Sequence, residues 1–445
     1  MNHKMMPRLP RRAAFTLSAA ALAACTTPPK PKIPGVQTPV MPVTQALAAS
    51  PDAPAVTLPS PVPRTDWPQL LAGPAHAPGN IAGPSGFGRA WHADIGTPGG
   101  DRQPLIASPV SAGGLVYTMD ADANVSAFSL QSGERRWRTS TRPKHVTVIN
   151  LGGGIGYDAS GASPILYAST GYSEILALDA GSGKILWRQP LDFPARSAPT
   201  IGGGIVAVNI QNDLLLTFDP VSGEPGWRYT GRVSSISTSV ALAGAPAIDS
   251  GIVVAGFSSG TLAALDVNSG MPFWEQSLAS AFGQASDLDF SDISGAPVVA
   301  GGVAYAASLG QTMMAVDLRS GAKVWTIDAS GSEAFCAAGG FVFVLDTNCS
   351  LAAIHADDGL ICWTLQLPLF KNPKKKSGAK SWSGPVMINN GLVLTSTLGD
   401  IITVDPVAGK ISSHAKLAGP ADVPPIVVGG TLLQLTRNGI LTAYS

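Results

Sequence analysis

A Ser-Gly turn followed at a fixed distance by tryptophan recurs along this chain, and that recurrence decides what it can fold into. Aligned on the glycine, the units are "SAFSLQSGERRW" (126–137), "LALDAGSGKILW" (176–187), "LTFDPVSGEPGW" (216–227), "AALDVNSGMPFW" (263–274), "MAVDLRSGAKVW" (314–325) and "AAIHADDGLICW" (352–363). A seventh, "ITVDPVAGKISS" (402–413), carries Ser413 where the others have Trp. Counting from Trp91, successive indoles lie 46, 50, 40, 47, 51 and 38 residues apart. A period of this size marks a repeat architecture, in which each unit is a small supersecondary element that cannot bury its faces alone.

Each unit supplies short strand candidates. In the second they are "HVTVIN", "ASPILYAST", "SEILALDA" and "ILWRQPL". The alternation of Ile175 and Ala177 against Leu176 and Leu178 gives a strand two faces. Asp179 is placed to accept N–H groups from the turn that follows, and Gly183 tolerates positive φ there. An indole buries roughly 150–250 Å² and still presents its N–H. The repeated Trp therefore reads as a wedge between adjacent four-stranded sheets arranged radially. The blade-docking residues are Trp91, Trp137, Trp187, Trp227, Trp274, Trp325 and Trp363.

Blade starts fall near 104, 159, 197, 245, 295, 333, 384 and 424, often as Pro and four residues before Gly. The reading is an all-β, eight-bladed propeller with four antiparallel strands per blade. The last unit, "TLLQLTRNGILTAYS" (431–445), stops before its outer strand, whereas "GRAWHADIG" (88–96) has Trp91 and no hairpin before it. The two chain ends are expected to share the closing blade. The abundance of Gly (50) and Pro (37) suits a fold with this many turns.

The first 24 residues combine a basic stretch (Lys4, Arg8, Arg11, Arg12) with the apolar "AAFTLSAAALAA", which is about half of a membrane span. They read as a signal peptide. "LAAC" (22–25) resembles the lipoprotein cleavage motif, which implies lipidation at Cys25, and Thr26 in place of Asp implies sorting to the periplasmic face of the outer membrane. Residues 25–64 read as the lipidated Cys and a Pro-rich linker, and 65–445 as the propeller. Without the signal, 25 basic residues face 29 acidic ones, which speaks against nucleic-acid binding.

The unit Leu-Asp-x-x-Ser-Gly-x-x-x-Trp resembles the pyrroloquinoline-quinone-type propeller repeat. With the lipidation motif, the blade count and the lead-in "DWPQLLAGPAHAPGN" (66–80), the chain is similar to the BamB family, the propeller lipoproteins of outer-membrane β-barrel assembly. "SDISGAPVVAGGVAYAASLGQTMMAVDLRSGAKVW" (291–325) carries much of that likeness. The resemblance implies a non-enzymatic scaffold without cofactor or metal. It would bind the periplasmic domains of the barrel-inserting subunit BamA through loops 230–245 and 283–296, and would meet unfolded outer-membrane proteins. The implied contacts fall on Thr238, Val240 and Ala241, with Arg232 as the nearest basic residue, and on Asp292 and Ser294. Two alternatives share the repeat. A quinoprotein dehydrogenase would need an adjacent Cys pair and axial calcium ligands; the chain has no Cys-Cys pair and no C-x-x-C-H. A ligand-binding propeller lipoprotein would cluster aromatics on one rim, and only Trp382 stands outside the repeat and lead-in.

Other motifs read as structural. "GFSSG" (256–260) matches a nucleophile elbow but sits between two strands, where a hairpin turn is expected. "DLDFSD" (287–292) lacks the glycine and closing glutamate of a calcium loop. The glycine runs 151–161 and 201–208 read as turns, His355 as a turn cap, and "KNPKKKSGAK" (371–380) as a solvated basic loop. Cys336, Cys349 and Cys362 share one blade and allow one bridge, with the pair open.

Overall fold

The structure is a computed structural model and describes residues 47–231, 244–278, 291–310 and 312–445. Cys25, Arg232, Thr238, Val240, Ala241, Asp287 and Asp289 lie outside these residues.

Eight four-stranded antiparallel sheets form the blades of a propeller. Blade 1 runs Val110–Ala112, Leu115–Met119, Asn124–Ser129 and Arg135–Ser140, from innermost to outermost strand. Blades 2 to 7 repeat that order over 153–190, 200–230, 247–277, 298–327, 336–366 and 382–416. Blade 8 takes Ile426–Val428, Thr431–Leu435 and Ile440–Tyr444 from the C-terminal end, and its outer strand, Arg89–Asp94, from the N-terminal side. Trp91 pairs with Ala443, and Ser445 N–H donates to the Gly88 carbonyl at 2.9 Å. The shared blade is as the sequence implied.

The indoles do what their spacing predicted. Each donates its Nε1–H to a backbone carbonyl in the outer hairpin of the next blade. The pairs are Trp91 to Leu130 (2.9 Å), Trp137 to Ala180 (3.0 Å), Trp187 to Pro220 (3.2 Å), Trp227 to Val267 (2.9 Å), Trp274 to Leu318 (2.9 Å), Trp325 to Ala356 (2.9 Å) and Trp363 to Pro406 (2.7 Å). The acceptor sits one residue past the turn-capping position, where Asp179 Oδ1 accepts from Ser182 N–H at 2.8 Å. The ring face lies on the turn glycine. At Gly321, φ is +70° and a Cβ would fall 2.5 Å from Trp274 Cγ, so both the conformation and the contact require glycine. A β-bulge in each outer hairpin, such as the one between Ala177 and Leu178, re-aims the strand beside the indole.

The seventh unit lacks its Trp because blade 8 has no outer hairpin to receive one: the chain termini interrupt it. The exchange is reciprocal. Phe87 stands four residues before Trp91, the place that glycine takes elsewhere, and lines the same groove as Ser413. The seam is instead sealed by aliphatic packing of Val386, Ile388 and Val393 with Ile426, Val427 and Leu433.

Three local expectations are corrected. The inner strand of blade 2 is Gly153–Asp158, within the glycine run, and not "HVTVIN" (145–150), where His145 adopts φ +68°. Small residues are needed there because the strand abuts blade 3: a Cβ on Gly154 would lie 2.7 Å from Ala198 Cβ. The run 201–208 is a turn only at Gly203 and Gly204, between strands Thr200–Gly202 and Ile205–Ile210. The basic segment is not an irregular loop but a hairpin, Phe370–Asn372 with Ser377–Ala379; Lys380 turns inward to Asp400 at 2.7 Å and over the Trp382 ring at 5.2 Å.

The chain ahead of the blades is also packed, from well before residue 65. Leu47 and Val56 are buried, and Ser50 N–H donates to Ile361 at 2.8 Å. Residues 62–82 then form a strap around the axis. Arg64 bonds blade 8 at Gly429, Trp67 bonds blade 1 at Ser111, and Pro68 bonds blade 2 at Tyr157. Gln69 bonds blade 3 at Ile201, Pro74 bonds blade 4 at Ile248, Ala75 bonds blade 5 at Val299, and Ile81 bonds blade 7 at Met387. The strap closes on itself through Val62 N–H to Asn80 O (3.0 Å) and Ala82 N–H to Val62 O (2.9 Å). It satisfies inner-strand backbone groups that would otherwise be exposed sheet edges.

Two measurements test this account. Trp274→Ala should cost about 3–5 kcal/mol and Gly321→Ala about 1–3 kcal/mol in denaturant unfolding. Deleting residues 65–96 removes both the strap and the closing strand, so unfolding should become broad and early; a transition coinciding with that of the intact chain would contradict ring closure.

Candidate functional site

In every blade with a continuous chain, the first and third turns lie on one face, and the second turn and the crossing to the next blade lie on the other. The strap occupies the first face, since it meets the inner turns at Gly113 and Gly429. The crossings converge on the second face and surround an axial cavity of about 370 Å³. Leu70 and Leu71 of the strap contribute to its lining, together with Ile106, Ile155, Leu309 and Val423. Among the described residues that line it, two are charged, Arg196 and Glu333.

Arg196 Nη2 donates to Asp292 Oδ2 at 2.9 Å, with both side chains almost wholly buried (4% and 0% exposed). The pair ties the crossing into blade 3 to the crossing into blade 5. Asn209 Nδ2 bonds Gly244 O at 2.9 Å and draws in the crossing into blade 4. Burial raises the Asp292 carboxyl above its ordinary value despite Arg196. Removing either partner would strand a buried charge, typically at a cost of about 3–5 kcal/mol.

The sequence placed Asp292 and Ser294 on a contact loop. In the structure the Asp292 side chain is inside and committed to Arg196, because the crossing folds inward at this point. Ser294 lines the axial cavity, and its Oγ has no hydrogen-bond partner among the described residues. Sequence reasoning passed over Arg196 and Glu333, since neither stands in a repeat position. Burial pushes the Glu333 carboxyl up to about 7; among the described residues it is opposed by one long bond, 3.5 Å, from Gly384 N–H. The half-buried Glu333 lines both the axial cavity and a second hollow beside Asp346 and Asp422.

Two other carboxylates of the crossing face, Asp400 and Asp422, are paired with cations. Burial would raise Asp400, but bonds from Lys380 (2.7 Å), Lys416 (2.5 Å) and His414 (2.8 Å) hold it far below the carboxylate range. Asp422 is gripped by Arg437 at 2.6 and 2.7 Å.

The rejected motifs are structural here as well. Ser258 and Ser259 form the turn between Ile252–Gly256 and Thr261–Asp266, and both backbone N–H groups donate to Asp213, at 2.8 and 3.1 Å. His355 meets Asp358 at 2.9 Å within its turn. Cys336, Cys349 and Cys362 are free thiols. Burial pushes Cys336 up to about 12, so it is an inert core residue. Among the described residues no group of three or more His, Cys, Asp or Glu is arranged to hold a metal ion, and no helix is long and apolar enough to cross a membrane.

A family model described as outer membrane protein assembly factor BamB matches residues 121–365. Relatives bearing that name include one from Yersinia pestis, 25% identical over 364 residues, covering 80% of this chain and 88% of the relative. One from Burkholderia pseudomallei is 26% identical over 352 residues, covering 79% and 86%. Among solved structures, BamB from Moraxella catarrhalis aligns with TM-score 0.65 at 21% identity, over 79% of this chain and 99% of that one. A europium-containing methanol dehydrogenase aligns with TM-score 0.65 at 13% identity, over 84% and 88%. At these identities the solved structures share the fold alone.

The Glu333 carboxyl is raised from 4.5 to about 7 in the native state, so the native state holds a proton that the unfolded chain has lost between those values. The stability it contributes is complete below pH 4.5 and is lost as pH rises through 7. Glu333→Gln keeps the neutral form throughout. Urea unfolding at pH 5 and pH 8 should therefore show wild type losing on the order of 2–3 kcal/mol relative to the variant.

Proposed function

Since this chain belongs to the family of the outer membrane protein assembly factor BamB, we propose that it is a non-enzymatic scaffold lipoprotein of outer-membrane β-barrel assembly. In this reading Cys25 carries the lipid, residues 26–46 are the tether, and the propeller stands on the periplasmic face of the outer membrane. The partner is the periplasmic part of a BamA-like barrel-inserting subunit.

The observation that carries the reading is the crossing face. The described ends of both segments singled out for contact, 230–245 and 283–296, are braced there: Asn209 bonds Gly244, and the buried Arg196 pairs with Asp292. Asp292 would then act as a positioning residue for the segment that carries Ser294, while its own carboxylate stays inside, and Arg232, Thr238, Val240 and Ala241 of the preceding crossing would complete the contact. Support also comes from coverage: the chain spans 88% of the Yersinia relative's length, so the likeness is to a whole protein and not to one module.

The outer strands offer a second, weaker mode of contact. In strands such as Arg135–Ser140 the side chains are exposed or half-buried, and the outer backbone edge is the place where an extended polypeptide would add as a fifth strand. Unfolded outer-membrane proteins are the natural candidates.

Affinity isolation of the lipidated protein from membranes should recover a large barrel protein with periplasmic repeats. Asp292→Ala should lower that recovery about tenfold or more, as expected when a buried charge pair is broken. Lys375→Ala, on the exposed hairpin, should leave it unchanged. Recovery of no barrel protein by the wild-type chain would overturn the scaffold reading, and undiminished recovery by Asp292→Ala would move the contact away from these loops.

A further inference from the structure

The inward-turned carboxylates of this propeller are answered by a cation or by short N–H bonds, and the half-buried Glu333 is not. Asp120 is bonded by Arg138 at 2.7 Å, Asp292 by Arg196 at 2.9 Å and Asp400 by Lys380 at 2.7 Å. Asp422 is bonded by Arg437 at 2.6 Å, and Asp346 accepts Ser350 N–H at 2.7 Å. Glu333 has only the Gly384 N–H at 3.5 Å, and no Lys, Arg or His lies within ion-pair distance of it among the described residues. The other charged residue lining the cavity, Arg196, is committed to Asp292. A carboxylate withdrawn from water without a counter-charge is disfavoured when ionised, unless something supplies one.

The surroundings say what would supply it. The cavity of about 370 Å³ is in the range of ligand pockets, with apolar walls and few polar groups. A second polar atom, Ser294 Oγ, is buried there without a partner among the described residues. One carboxylate is too few donors for a calcium ion, which takes about 6–8 oxygens. We propose that the axial cavity binds a primary ammonium group on an apolar stem, with Glu333 as its counter-ion and Ser294 Oγ as an accessory acceptor. Two sources carry that chemistry: a free alkylamine, or a lysine side chain inserted from another polypeptide at the crossing face.

The charged and titratable neighbours supply no cation to Glu333 among the described residues. Arg196 lines the same cavity but is paired with Asp292, and the hollow on the other side of Glu333 is lined by Asp346, Cys349 and an Asp422 already bonded by Arg437. Because burial pushes Glu333 to about 7, the test is run at pH 8.

The mature lipidated protein in detergent is titrated by calorimetry with hexylammonium chloride, with hexan-1-ol as the uncharged match. The expected result is saturable one-to-one binding of the amine, about tenfold or more tighter than the alcohol, with Glu333→Gln abolishing the preference. Equal binding of amine and alcohol, or a preference that survives in Glu333→Gln, would overturn the proposal. A measurement on wild type alone covers the event that the variant does not fold. Carbodiimide coupling of the amine should place the amide at Glu333 by peptide mass, and amide spread evenly over surface carboxylates would overturn the site. A peptide acetyl-Ala-Ala-Lys-Ala-Ala-amide forms the second arm. Tighter binding of the peptide than of hexylammonium identifies a polypeptide lysine as the source, and the reverse identifies a free amine.

Discussion

The bond from an indole N–H to a carbonyl of the neighbouring blade is the interaction on which the rest of this molecule depends. A four-stranded sheet has two faces to cover and two edges to protect, and it can do neither alone. The indole covers one face with its ring and fixes the distance and angle to the next sheet with its single donor. The turn glycine answers from the other side, because any Cβ would strike the ring. Repeated at seven seams, this fixes the relative placement of the blades, and placement in turn fixes the axial channel.

The eighth seam shows that the pattern is causal and not merely recurrent. Where the acceptor hairpin is interrupted by the chain termini, the donor is gone too: Ser413 replaces Trp, and Phe87 replaces glycine on the facing side. The closing blade instead draws its strength from main-chain pairing of the two chain ends and from the strap that bonds inner strands around the axis. Closure and plugging are thus one structural act, performed by residues 62–94.

The asymmetry of the two faces organises the chemistry. The turn face is built of short capped hairpins whose carboxylates, such as Asp179 and Asp317, are solvated and held low by bonds from the turn serines Ser182 and Ser320 and their backbone N–H groups. On the crossing face, long segments fold inward and carry buried charges with them. The Arg196–Asp292 pair gives these segments a fixed geometry, and Glu333 leaves a charge to be answered.

The repeat, the blade count and the shared closing blade were legible from the residues, because they rest on local chemistry: a turn cap three residues from its partner, a glycine with positive φ, an alternation of period two. "HVTVIN" failed as a strand because an apolar alternation says nothing about neighbours, while the glycine-rich Gly153–Asp158 is a strand because it pairs with Ile165–Thr170, and it keeps Gly154 because Ala198 leaves no room for a Cβ. The strap, the burial of Asp292 and the isolation of Glu333 were decided by tertiary structure alone. They join residues far apart in the chain, 96 positions in the case of Arg196 and Asp292, and no periodic signal in the sequence reports such a contact. Whether a charged side chain is solvated, paired or left alone depends on which walls pack around it, and those walls exist only once the ring has closed.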